Sequence, residues 1–269
     1  MAISAAALVP HPPLLLPELG RSPTPDLELL RSASRRAVAT LLDHTEALLV
    51  VGPAPAWGEA ELGAAGSFVP YGAPVTASLP AAAAAPAVAD GSAGPSRDAD
   101  AARWLDRAAL PPGHLTALPL SLAVAAWLLD QLAEERALPP VAAFGVPAGA
   151  DAGQAAPLGR ALAAAVREAR VGLLVMADLS ARRTQRAPAS FHPDAEEFDR
   201  RIGDAIRKAE LGRLLEVDPA LAAEMGAGGM AALWLLAGAL ADVRDLHGEV
   251  RYEGGPFGVG YLVGVLESR

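Results

Sequence analysis

His11 stands between Pro10 and Pro12, so its own backbone is restricted and the residue after it has no amide donor. An imidazole held this way could act as an acid, a base or a metal ligand, or it could close a strand end by bonding to backbone. His192 lies in Phe191-His-Pro-Asp-Ala-Glu-Glu-Phe-Asp199. Asp194 can cap the helix that follows, with Glu196 and Glu197 in its first turn, and the same placement could hold His192 over a crevice as acid or base. Asp178 and Ser180 follow the apolar run at 171–177, where a parallel strand would end. A carboxylate there can hold a proton, whereas Ser180 becomes a nucleophile only if a base approaches it from elsewhere. Arg182 and Arg183 next to them could bind an anion or simply face solvent. These four residues, His11 as metal ligand and Asp178, Ser180 and His192 as catalytic groups, are the candidate site.

Other chemistries find less support. The chain has no cysteine, which excludes disulfides, thiolate nucleophiles and cysteine-ligated metal. It has no HExxH pair, no GxSxG elbow and neither of the glycine-rich phosphate loops, because Gly226-Ala-Gly-Gly229 fits neither spacing. His44, His114 and His247 sit near a helix end or in loop-like surroundings. Trp127 and Trp234 lie on apolar helical stripes and read as packing residues.

Positioning these groups requires strands that end beside them. Residues 3–9, 48–53, 141–146 and 171–177 are short apolar runs cut off by proline, glycine or a polar residue, and they read as buried strands. Between them, residues 26–46, 121–136 and 156–170 carry apolar residues at helical spacing. Further helices are predicted at 98–109, 194–215 and 228–240, short strands near 67–71, 75–79 and 114–120, and a closing strand pair at 248–252 and 258–266. The Ala/Pro/Gly/Ser-rich stretch at 80–96 reads as a flexible surface loop. Continuous apolar strands alternating with helices predict one three-layer α/β domain over 1–269, with a mostly parallel central sheet flanked by helices. In such sheets the site crevice lies outside the carboxyl ends of the strands, where His11, the 52–57 segment and Asp178 all fall.

The chain's 269 residues can bury a substantial core. Its 22 basic residues, of which only Lys208 is a lysine, against 31 acidic ones give a net charge of -9, which repels a nucleic-acid backbone. No apolar stretch is long enough for a membrane span, and the first ten residues lack a basic leader. The expectation is a soluble, cytoplasmic protein with no nucleic-acid or membrane partner.

The segments Ala7-Leu-Val-Pro-His-Pro-Pro-Leu-Leu-Leu-Pro-Glu-Leu-Gly20, Val50-Val-Gly-Pro53, Ala177-Asp-Leu-Ser180, His192-Pro-Asp-Ala-Glu-Glu-Phe-Asp199 and Phe257-Gly-Val-Gly-Tyr-Leu-Val263, in this order, resemble the catalytic chains of the class III extradiol ring-cleavage dioxygenase family. The resemblance implies an α/β fold, ferrous iron held by two histidines and a carboxylate, opening of a catechol ring, and homodimerisation. It assigns the first metal-binding histidine to His11. The second would follow Pro53, where this chain has Ala54; the acid–base histidine would follow Leu179-Ser180, where it has Ala181. The carboxylate is expected from the segment matching Gly228-Gly-Met-Ala-Ala-Leu-Trp234, which contains no acid. Alanine can neither ligate a metal nor exchange a proton, so conventional iron-dependent cleavage is not expected. Three readings follow: a dioxygenase-fold protein without the usual iron centre that keeps a cleft for a small ligand or a partner, a metal-dependent enzyme with a site relocated around His11 and His192, or a non-catalytic oligomeric scaffold.

Overall fold

The apolar runs form the centre of a mixed sheet. The structure is a computed structural model that describes residues 3–19, 24–80, 112–166 and 170–268. Strands β1 (Ile3–Val9), β2 (Ala47–Ala54), β7 (Val141–Pro147) and β8 (Val171–Met176) are parallel neighbours in the order β7-β2-β8-β1. The closing pair, β9 (Leu246–Gly254) and β10 (Tyr261–Ser268), adds to β1 antiparallel. At the other edge β3 (Gly58–Ala60) runs antiparallel to β7 and carries β6 (His114–Leu115), completing eight strands. The fold is therefore three-layer α/β with a mostly parallel central sheet, as the alternation predicts.

Side-chain alternation divides the core. Leu49, Val51, Phe144, Val146, Leu173 and Val175 face one layer, while Val9, Leu48, Val50, Leu174 and Met176 face the other. The second face is covered by α1 (Pro25–Asp43) and α2 (Leu120–Ala133). The Thr24 hydroxyl caps α1 by accepting the Leu27 N–H at 3.3 Å, and Leu30, Ala37, Val38 and Leu41 are buried at helical spacing. Gly52 makes room for α2: a Cβ there would lie 2.8 Å from Ser121 Oγ, which donates to the Pro53 carbonyl at 2.6 Å.

Among the described residues five helices pack on the first face: α3 (Ala152–Ala165), α4 (Ala195–Arg207), α5 (Gly212–Leu215), α6 (Pro219–Glu224) and α7 (Met230–Ala239). α3 starts before the predicted residue 156 because Asp151 and Gln154 form a reciprocal capping box. The single helix predicted over 194–215 is two, interrupted where Ala209 turns left-handed at φ 54°. α7 is buried on every side. The region near 65–78 is a separate hairpin, β4 (Ala65–Ser67) and β5 (Thr76–Ser78), and the strand expected near 67–71 is largely a 3-10 turn at Val69–Tyr71 between them. The predicted helix at 98–109 and all but Pro80 of the 80–96 loop lie outside the described residues. Among the described residues no helix is long and apolar enough to cross a membrane.

Candidate ligand site at the carboxyl edge of the sheet

β1 and β8 end together, since Val9 pairs with Met176, and beyond that pair the two chains part. At this fork the β8 extension closes directly on the chain entering β10: the Leu179 N–H donates to the Gly260 carbonyl at 2.9 Å and the Gly260 N–H to the Ser180 carbonyl at 2.7 Å. β1 is left behind, and its His11 N–H needs a new acceptor. Asp178 supplies it, with Oδ1 at 2.8 Å. The His11 Nδ1 lies 3.6 Å from the same oxygen, buried and without a hydrogen-bond partner. The segment after His11 is pinned by Arg31 of α1, whose guanidinium donates to the carbonyls of Leu14, Leu15 and Leu16 at 2.8–3.0 Å. His11 and Asp178 are therefore brought together, as their placement at strand ends suggests.

Ser180 is fully buried and committed elsewhere. Its N–H donates to Asp199 Oδ1 at 2.9 Å and its hydroxyl to Asp199 Oδ2 at 2.8 Å. Arg183 approaches Asp199 Oδ2 at 3.4 Å and bonds Glu196 at 3.1 Å. Burial pushes the Asp199 carboxyl above its ordinary range, against the pull of the Ser180 bonds and the Arg183 charge. Gly260 permits this cluster, because a Cβ there would fall 1.9 Å from Asp199 Oδ2. The Ser180 hydroxyl is thus held by a carboxylate inside the protein, with no exposed surface for a substrate to reach, and its bonds to Asp199 tie the turn to α4.

His192 has its own partners. Its Nδ1 accepts the Asp194 N–H at 3.2 Å, and its Nε2 faces Glu224 Oε1 at 3.4 Å. The expected cap is thereby reversed: the Asp194 side chain makes no capping bond, and the imidazole satisfies the backbone at the start of α4. His11 with Asp178 and His192 with Glu224 are two separate pairs, and among the described residues no group of three or more His, Asp or Glu side chains is arranged to hold a metal.

The positions left bare by the resemblance are filled by packing. The Ala54 methyl covers Gly145, whose added Cβ would lie 2.5 Å from it. The Ala181 N–H donates to the Met225 carbonyl, and its methyl faces Gly226. Ferrous oxygenases hold iron with two imidazoles and a carboxylate. Here His11 is one imidazole beside one carboxylate whose nearer oxygen already accepts a backbone N–H. This donor set does not fit a ferrous ion.

Just beyond the carboxyl end of β7 lies a cavity of about 260 Å³. Its floor is buried and consists of Ala150, Ala222, Ala227, Met230 and Trp234; its exposed rim includes Gly149 and Gly228. Gly228, Met230 and Trp234 belong to the segment from which the resemblance expects a carboxylate. The Trp234 indole N–H donates inward to the Leu214 carbonyl at 2.8 Å, leaving the ring as apolar wall. Sequence reasoning takes Trp234 only as a packing residue and misses Asp199. The signal for Asp199 is its spacing with Ala195, Ile202 and Ile206, which puts a charge on the buried stripe of α4.

No family model and no curated protein matches the chain. Among solved structures it is similar to the crystal structure of uncharacterized protein JW3007 from Escherichia coli K12, with a TM-score of 0.61 and 16% identity, over 98% of this chain and 100% of that one. At that identity the likeness concerns the fold, and the three-layer α/β architecture is what the two chains share.

Proposed function

We propose that this chain is a divergent member of the class III extradiol dioxygenase family that has no conventional ring-opening iron centre and keeps a cleft for a small ligand. The observation that carries this reading is the donor set at the strand fork, one imidazole beside one carboxylate, with no group of three or more His, Asp or Glu side chains arranged to hold a metal among the described residues. The neighbouring cavity, walled by alanine, glycine, proline, methionine and tryptophan, supplies the cleft. Ala54 and Ala181 support it, because a methyl group removes a ligand or a proton carrier outright rather than tuning it. His11 and Asp178 serve the strand fork in this reading: the carboxylate satisfies the amide that β1 leaves unpaired.

The test is reconstitution. The full chain is incubated anaerobically with ferrous iron, passed through a desalting column, assayed for bound metal, and then mixed with catechol and oxygen. Substoichiometric iron and no oxygen uptake are expected. One iron per chain together with a ring-opened product would overturn the reading.

A further inference from the structure

We propose that the cavity beside α7 selects a compact, uncharged, apolar molecule of about the size of one substituted ring and rejects anions. The inference rests on the cleft-retaining reading above and adds the ligand class. Size sets the first limit. An engineered apolar cavity of roughly 150 Å³ accepts benzene, so about 260 Å³ accommodates a ring with substituents and no drug-sized molecule. Chemistry sets the second, since none of the lining residues carries an ionisable side chain. The indole of Trp234 and the thioether of Met230 offer polarisable surface at the floor.

A helix start beside a cavity ordinarily invites an anion. Here four of the amides around that start are already used. The Gly229 N–H donates to the Asp178 carbonyl at 3.1 Å, Met230 to Ala227 at 3.1 Å, Gly228 to Gly226 at 3.0 Å, and Ala227 to Ala222 at 3.0 Å. Acids adjoining the lining segments are also engaged: Asp218 caps α6 through the Ala220 N–H, and Glu224 faces His192. A carboxylate or phosphate entering the cavity would meet no basic side chain to offset its lost hydration.

Gly228 and Gly149 provide the means of testing it. A Cβ added at either meets nothing within 4 Å, and neither has a left-handed backbone, so a larger side chain at these positions extends into open space. Toluene, benzoate and inorganic phosphate are titrated into the iron-free full chain and followed by NMR, with nuclear Overhauser contacts sought from the toluene methyl to Met230 and Trp234. Toluene is expected to bind with those contacts, benzoate at least roughly tenfold more weakly and phosphate not at all. Gly228→Leu, and separately Gly149→Leu on the β7–α3 turn, are each expected to weaken toluene about tenfold or more while the spectrum of the fold persists. Absence of toluene binding, benzoate binding as tight as toluene, or contacts elsewhere in the molecule would overturn the ligand class. Those outcomes leave the iron assay untouched, and stoichiometric ferrous uptake would remove the cleft-retaining reading whatever toluene does.

Discussion

Asp199 is a carboxylate on a face of α4 that the fold buries; its oxygens bond α4 to Ser180 and Arg183 of the preceding turn and lie against Gly260 on the approach to β10. Asp199→Ala leaves the buried Ser180 N–H without an acceptor and frees one arm of Arg183, which should cost about 2–4 kcal/mol. Asp199→Asn keeps one acceptor and should cost less; equal losses for the two, read from denaturant unfolding, would show that the hydrogen bonds do not matter. The pH dependence has a definite sign. Burial raises the Asp199 carboxyl in the folded state, so the fold binds the proton more readily than the unfolded chain. Stability from this group therefore rises as pH falls through the folded value toward the ordinary 3.8. Wild type should gain on Asp199→Asn in that window, and a relative loss would contradict the assignment. Glu197 works the other way: on the exposed side of α4, Arg200 and then Arg201 hold it at about 2, so its contribution is present above 4.5 and fades as pH falls toward about 2. Comparing wild type with the Asn variant cancels that opposing trend. The burial of Asp199 is legible in the spacing of α4, but its partners are not, because Ser180 and Gly260 reach it only through the fold.

At the scale of elements, α3 and α7 approach until backbone meets backbone. A Cβ at Gly159 would lie 2.0 Å from the Leu235 carbonyl oxygen, and one at Gly238 would lie 2.0 Å from that of Ala156. No rotamer relieves such a contact, so Gly159→Ala or Gly238→Ala must push the helices apart and open the core between them. Each should cost about 3 kcal/mol, at the upper end for overpacking, while Gly149→Ala, which meets open space, should be nearly neutral. Thermal unfolding of the three variants distinguishes them; equal melting temperatures would mean that the helices slide freely. The existence of both helices is legible, since apolar residues recur at the right period. Their ends are less so. The capping box at Asp151 lies ahead of the apolar periodicity that marks α3, and the break at Ala209 needs a left-handed alanine that no local residue type announces. β3 escapes a reading by apolar runs because Gly58–Ala60 has almost no apolar content and owes its pairing to β7 and β6.

For the whole molecule, the decisive fact is that β1 lies inside the sheet, between β8 and β10. The apolar runs make the strands legible, but not their order, because a strand buried on both faces carries no mark of its neighbours. In the observed order Ala5 pairs with Glu267, joining the two ends of the described chain across its centre. β10 is consequently no appendage. Tyr261, Leu262, Val263, Val265 and Leu266 are all 4% exposed or less. At about 1.5–3 kcal/mol for each large buried apolar side chain, they contribute on the order of 8–15 kcal/mol. That equals the net stability of a typical domain, about 5–15 kcal/mol. A chain stopped after Gly255 should therefore lose cooperative folding altogether, because β9 and β1 would each lose a ladder and both sheet faces would be opened at once. Circular dichroism during urea unfolding, together with binding of a hydrophobic dye, reads the outcome. A broad, non-cooperative transition with dye bound in water is expected. A sharp transition at the wild-type midpoint would mean that β7, β2, β8 and β1 form a self-sufficient core and that the antiparallel pair is dispensable. Leu62→Ala, at a residue 90% exposed, is the companion measurement and should change stability by no more than about 0.5 kcal/mol, showing that location in the sheet and not apolar character alone decides the loss.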